Sequence, residues 1–195
     1  LSIDEAFLDL SGTKKLHNGS PAKTLLKLIH RIETEIGITA SVGLSYNKFL
    51  AKTASDIGKP RGFSIIGKEE ALDFLSLRPV GSIWGVGQSM RRQLEEDGLK
   101  TIDQLREVPE HNLTKKYGKI GKRLFHFARG EDTRTVQPNN KLKSISKETT
   151  FTNNIKNLEQ LQQLLWPLCE IISKKLKSKE LAARTITIKL KTISF

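Results

Sequence analysis

Asp4 and Glu5 stand side by side at the head of Ser2-Ile3-Asp4-Glu5-Ala6-Phe7-Leu8-Asp9-Leu10, and two adjacent acids opening an apolar strand have no packing use. Neighbouring side chains of a strand point to opposite faces, but a tip where the chain turns lets both carboxylates reach one place. Hard oxygen donors, few in number and with positions left open for substrate oxygens and water, are what Mg²⁺ chemistry on phosphates requires. An Asp-Glu pair at a turn is also ordinary solvated surface, so the dipeptide alone leaves both readings open. A second chemical feature lies at Gly85-Val86-Gly87, between Trp84 and the helix-forming stretch Gln88-Ser89-Met90-Arg91-Arg92-Gln93-Leu94. With no Cβ at either end of that turn the backbone can come close to a phosphate, and the next helix adds N–H groups and a positive dipole end. An ordinary helix stop followed by a new helix is the alternative. Trp84, the Arg91-Arg92 pair and the later Gly98-Leu99 favour phosphate binding through Gly85, Val86, Gly87, Ser89 and Arg91.

These residues must be positioned by a mixed set of elements. Ala6–Leu10 reads as a strand ended by Ser11-Gly12. Leu25, Leu28, Ile29, Ile32 and Ile36 recur at helical period, with Ser20 as N-cap, Pro21 in the first turn and Gly37 as the stop. Ile38–Leu44 is rich in β-branched residues and reads as a strand, Asn47 opens a helix to about Asp56, and Gly58–Gly62 leads into a strand at Phe63–Ile66. Alternation of strands and helices predicts an α/β layer over 1–66. Residues 67–138 change to short helices punctuated by Gly and Pro. They close with an amphipathic helix over Lys119–Gly130, in which His126 is a packing or surface residue, and a polar linker follows from Glu131 to Lys141. Over 139–195 a strand at 142–151, a helix at 157–178 and a strand at 184–191 are expected. Leu158, Leu161, Leu165, Leu168, Ile172 and Leu176 stripe the helix, and Trp166 is placed in the core or as a helix anchor. In the last strand Ile186, Ile188 and Leu190 share one face and Thr185, Thr187, Lys189 and Lys191 the other, so one face can pack while the other meets phosphates.

The chain has 195 residues and a formal net charge of +12, which favours a polyanion as partner. The excess concentrates in 139–195, with 11 basic residues against 4 acidic ones; a Lys-rich solvated face is the alternative there. Cys169 is the one cysteine and there are four His, which rules out a disulfide framework and a zinc cluster and fits a reducing cytoplasm. No apolar run approaches 18 residues, so no membrane partner is expected. Met90 is the sole methionine, so Leu1 is not a translation start and the chain is expected to be part of a longer one, stopping in or just after a strand at Thr192-Ile193-Ser194-Phe195.

The opening segment followed in order by Ser45, Asn47-Lys48, Leu50-Ala51-Lys52, Ala54-Ser55-Asp56 and Lys59-Pro60-Arg61-Gly62 resembles the Y-family (translesion) DNA polymerases over the whole chain. The resemblance implies a multi-domain α/β (α+β) architecture: a partial ferredoxin-like palm over 1–66, a small all-α thumb with a helix-hairpin-helix over 67–138, and a partial β-α-β little finger over 139–195. It assigns Asp4 and Glu5 as catalytic ligands of two Mg²⁺ ions and Lys59 as the contact to the triphosphate of the incoming deoxynucleotide. It assigns Lys143 and Ser144 to the DNA backbone, which the polar face carrying Lys189 and Lys191 can also meet.

The implied activity is template-directed, error-prone DNA synthesis by two-metal phosphoryl transfer, with primer–template DNA and a deoxynucleoside triphosphate as partners. A sliding clamp bound through an absent C-terminal tail, a monomeric state and a cytoplasmic location complete the expectation. The family carries a third acid on its first strand, and a fingers domain with its sugar-discriminating gate, ahead of the Asp-Glu motif. This stretch alone is therefore expected to be catalytically silent. Two other classes remain open: a non-catalytic helix-hairpin-helix module of a repair protein, which leaves Asp4, Glu5 and Lys59 idle, and a nucleotidyl cyclase, which has no use for the hairpin and the basic segment.

Overall fold

The structure, a computed structural model, describes residues 4–138 and 142–192. Two compact units divide between Gln137 and Pro138.

In the first unit Thr13 precedes a single turn of helix, α1 (Lys14–His17). Helix α2 (Pro21–Arg31) starts as its sequence requires, with the Ser20 hydroxyl accepting from the Lys23 N–H at 3.3 Å, and runs into a π-helical turn at Ile32–Ile36. Gly37, at φ +78, ends it. Strand β1 (Val42–Ser45), helix α3 (Lys48–Ser55) and strand β2 (Phe63–Ile66) form a β-α-β unit with the strands parallel, Val42 opposite Phe63 and Ser45 opposite Ile66. Asn47 caps α3, its side chain accepting from the Leu50 N–H at 3.0 Å.

Then come α4 (Ala71–Ser76), a 3₁₀ turn at Val80–Ser82, α5 (Gln88–Glu96), α6 (Ile102–Arg106) and α7 (Glu110–Ala128). Thr101 and Gln104 make a reciprocal capping box at the start of α6. Helix α7 is longer than the expected 119–130. A break at Gly118 (φ +62, ψ −139) divides it, and because two helices abut there, periodicity alone shows the second. One apolar core joins α3 to these helices. Phe49 stacks on Phe127 with ring centroids 4.3 Å apart and planes 4° from parallel, and Leu50, Leu75, Ile83, Leu94, Leu105, Leu113 and Leu124 are buried around them.

Four expectations fail in physical terms. Ala6–Leu10 forms no strand and pairs with none among the described residues, because alternation fixes side-chain faces without supplying a ladder partner. The stretch from Glu131 is not a free linker. The Gly130 carbonyl accepts from the Tyr46 hydroxyl (3.1 Å) and the Asn47 amide (2.7 Å), Lys48 Nζ donates to the Thr135 carbonyl, and the Asp132 carboxylate accepts from the Phe49 N–H at 3.0 Å. Of the rest of that predicted linker, Asn139, Asn140 and Lys141 lie outside the described residues. In the second unit α8 (Leu158–Ser178) forms, capped by Asn157, but no strand is found over 142–151 or 184–191. Ile186, Ile188 and Leu190 are exposed instead of packed. Trp166 is exposed as well, its indole N–H donating to Glu170 one turn on, so it is a helix-surface residue and not part of the core. The expected terminal strand at 192–195 falls, apart from Thr192, outside the described residues.

Asp132 carries the tightest polar junction. Its side chain is 2% accessible, and Arg134 meets both its oxygens at 2.7 Å. Burial pushes the carboxyl upward, but the hydrogen bonds from Arg134 and Phe49 outweigh that and hold it below its ordinary 3.8. Its stabilising contribution is therefore complete above the ordinary value and is lost as pH falls through the lower folded one. Asp132→Ala, which strands the Phe49 N–H and the Arg134 guanidinium, is expected to cost about 2–3 kcal/mol in chemical denaturation at pH 7 and to flatten the fall of stability below about pH 4.

Candidate catalytic and phosphate-binding site

Helix α3 brings the candidate site together. Its buried face, Phe49, Leu50, Thr53 and Ala54, points to the core, which turns Lys52 and Asp56, one turn apart, to the other side. Lys52 Nζ lies 3.0 Å from Glu5 Oε1 and 3.2 Å from Asp56 Oδ1, and Lys59 Nζ lies 2.6 Å from the same Asp56 oxygen. Glu5 and Lys59, separated by 54 positions, are thus linked through Lys52 and Asp56 in one line of alternating charge.

Sequence reading cites Lys52 and Asp56 only as parts of a motif and gives them no role. Their spacing marks an i, i+4 pair, yet nothing local shows that Glu5 completes it. Partial burial raises the Asp56 carboxyl, and the two ammonium groups, Lys59 foremost, more than reverse this. Burial lowers the Lys52 ammonium, and its carboxylate partners outweigh that and raise it. Asp4 is exposed beside Glu5.

The segment carrying Asp4 and Glu5 is held without strand pairing. The Phe7 ring sits 5.7 Å from that of Trp84, with Lys48 Nζ 4.9 Å above it, and the Arg134 guanidinium lies 4.5 Å from the Trp84 ring. Trp84 runs directly into the glycine turn. Gly85 is left-handed at φ +94, whereas Gly87 is extended at φ −80 and caps α5.

A Cβ on Gly87 would meet nothing within 4 Å, so the fold itself makes no steric demand there. Beside Gly85 the nearest group is the Arg123 guanidinium, 3.7 Å from where a Cβ would sit, a cation that sequence reading passes over. Val86 donates its N–H to the Ile83 carbonyl, and Ser89 is exposed in the first turn of α5. Arg91 is exposed and pairs with Glu95 one turn on (2.7 Å), its side chain lying beside Gly81. In the second unit Lys143, Ser144, Lys189 and Lys191 are exposed.

The donors suit a hard divalent cation in part. Two consecutive carboxylates are present, and Glu5 already faces a positive charge in Lys52 at 3.0 Å. No group of three or more His, Cys, Asp or Glu able to hold a metal occurs among the described residues. Mg²⁺ held here would draw its other ligands from water and phosphate oxygens, as it commonly does.

Known proteins can be set against this arrangement. The impB/mucB/samB family model matches residues 1–56 and that family's C-terminal domain model matches 142–195, together more than half of the chain. The chain belongs to the Y-family DNA polymerases. A thumb-domain model described as that of DNA polymerase-iota matches 81–132, the stretch with the glycine turn. DNA polymerase IV of Brucella melitensis biotype 1 is 54% identical over all 195 residues, and DNA polymerase IV of Caulobacter vibrioides 45%. The chain spans 44% and 48% of their lengths. The crystal structure of DinB from Sulfolobus solfataricus superposes with a TM-score of 0.61 at 30% identity, covering 70% of this chain and 40% of that one. The mixed α/β, multi-domain class expected from sequence agrees with this likeness, whereas the strands expected over 142–151 and 184–191 do not form. Among the described residues no helix is long and apolar enough to cross a membrane.

The two turn glycines differ in what they do for the fold, and this can be measured. Gly85→Ala, forced into a left-handed conformation, is expected to cost about 1–2 kcal/mol in chemical denaturation, and Gly87→Ala about 0.5 kcal/mol, the loss of a tolerated cap.

Proposed function

We propose that the protein to which this chain belongs is a template-directed, error-prone DNA polymerase that adds deoxynucleotides to a primer 3′ end. The observation that carries the reading is the single line of charge from Glu5 through Lys52 and Asp56 to Lys59, since it joins the acid pair to the triphosphate-contacting lysine of the family pattern. On this reading the palm is 1–66, the thumb 67–138 and the little finger 139–195.

Asp4 and Glu5 hold Mg²⁺, two ions in the complete site, which when bound supplies activation of the 3′-hydroxyl and neutralisation of the leaving pyrophosphate. Lys59 sets its ammonium against charge growing on the triphosphate. The turn Gly85-Val86-Gly87, with Ser89 and Arg91, brings backbone and N–H groups to the duplex phosphates, and Lys143, Ser144, Lys189 and Lys191 do so from the second unit. Such contacts hold register without reading sequence, which suits a template carrying damaged bases. The partners are primer–template DNA, a deoxynucleoside triphosphate and a sliding clamp, for a monomer working in the cytoplasm.

In the full-length protein, Asp4→Ala with Glu5→Ala is expected to lower primer extension at least about 10³-fold while leaving the dissociation constant for primer–template within about twofold, because metal ligands act in the transition state and little in duplex binding. Loss of DNA binding together with synthesis would overturn the assignment, and unchanged synthesis would favour a non-catalytic hairpin module. Binding is also expected to weaken steeply with salt, by about 10³-fold between 50 and 200 mM if some six phosphates are neutralised. A flat salt profile in a binding titration would count against the basic second unit as a backbone grip.

A further inference from the structure

We propose that Lys52 is a positioning residue, an internal cation that yields Glu5 to an arriving divalent ion, moves wholly onto Asp56 and so displaces Lys59 toward the triphosphate. The inference rests on the reading of Asp4, Glu5 and Lys59 given above.

The geometry that carries it is a shared carboxylate. Lys52 is only 16% accessible and sits between two acids, 3.0 Å from Glu5 and 3.2 and 3.5 Å from the oxygens of Asp56. With so little of its side chain open to solvent, loss of one acid favours its move to the other. Asp56 is meanwhile occupied from outside by Lys59, whose side chain is 54% accessible and whose ammonium lies 2.6 Å away on the oxygen that Lys52 also approaches. Two ammonium groups on one carboxylate repel each other, and the exposed one has water and substrate to go to. A dication at Glu5 replaces the single charge of Lys52 there and repels it toward Asp56. Lys59 is then the group released.

The exchange runs equally in reverse. A triphosphate that draws Lys59 away leaves Asp56 to Lys52, loosens Lys52 from Glu5 and opens that carboxylate to the ion. Each ligand thus favours the other through three side chains of this chain, and coupling of this kind is reciprocal. Lys52 itself touches neither substrate nor reacting atoms in this scheme.

The test uses the full-length protein without DNA or nucleotide. Mn²⁺ binding is followed by the electron paramagnetic signal of the free ion, in wild type, Lys52→Met and the control Asp4→Asn with Glu5→Gln. The lysine ammonium resonances are followed by ¹⁵N NMR during Mg²⁺ addition, with Lys59→Arg used to assign the Lys59 signal. The expected result is that Lys52→Met binds Mn²⁺ about tenfold more tightly, having lost the competing charge. The Lys59 signal is expected to move with Mg²⁺ in wild type and to ignore it in Lys52→Met.

Equal Mn²⁺ affinity with a Lys59 signal indifferent to Mg²⁺ in wild type overturns the exchange while leaving the acid pair as a metal site. Mn²⁺ binding that does not depend on Asp4 and Glu5 overturns the functional reading as well. The wild-type NMR arm needs no substitution at Lys52, so a Lys52→Met protein that fails to fold leaves the proposal open to refutation.

Discussion

Everything in the first unit follows from how closely α3 lies on β1. A Cβ on Gly43 would sit 2.0 Å from the Ala51 carbonyl oxygen and 2.4 Å from the Ser55 nitrogen, distances no side chain tolerates. Glycine is required there by contact, whatever the backbone angles, and with it the helix axis lies lower on the strand pair than a side chain would permit. Gly62 plays a similar part at the far end of the connection, where a Cβ would fall 1.9 Å from the Ile57 carbonyl oxygen. Once the helix is seated, its rotation is fixed by the burial of Phe49, Leu50, Thr53 and Ala54. Lys52 and Asp56 then have one direction in which to point.

The same seat accounts for the junction at the N-terminus of α3. A buried helix end leaves orphan N–H groups that must be satisfied. Asn47 satisfies one from within the segment, and Asp132, 83 residues away, satisfies that of Phe49. Arg134 then neutralises Asp132 and lays its guanidinium on Trp84, whose other neighbour is Phe7. The acid-bearing segment, the glycine turn and the stretch leaving α7 are in this way fastened around one helix end. A cap requirement and two ring contacts accomplish what sheet pairing does elsewhere.

Local rules made part of this legible. Ser20 before Pro21, Asn47 before an apolar run and the strand at Phe63–Ile66 state their elements in a few neighbouring residues, and the structure has them, whereas of the strand expected over Ile38–Leu44 only the last three residues form, within β1. Asp132 was hidden because its partner is remote and its immediate surroundings read as polar linker. The break at Gly118 was hidden because a left-handed glycine between two helical stretches of like period leaves no mark in that period. The acid pair and Lys59 were visible as types and order. Their connection was not, since Lys52 reads as an ordinary solvated partner of Asp56 until the fold brings Glu5 to it.

Two segments share the alternating pattern and meet different ends. Phe7 and Glu5 each have a partner across the unit, the ring of Trp84 and the ammonium of Lys52, so the segment is fixed in place although its backbone joins no ladder. Ile186 is 90% exposed, and Ile188 and Leu190 are exposed with it, while the apolar stripe of α8 is half-buried apart from the exposed Leu158. Alternation is a statement about two faces, and it becomes a strand only where something covers one face and something else pairs the edge. In the first unit side-chain anchors substitute for the edge. The second unit has its pattern, its helix and its charge, but over 184–191 neither face is covered and no edge is paired.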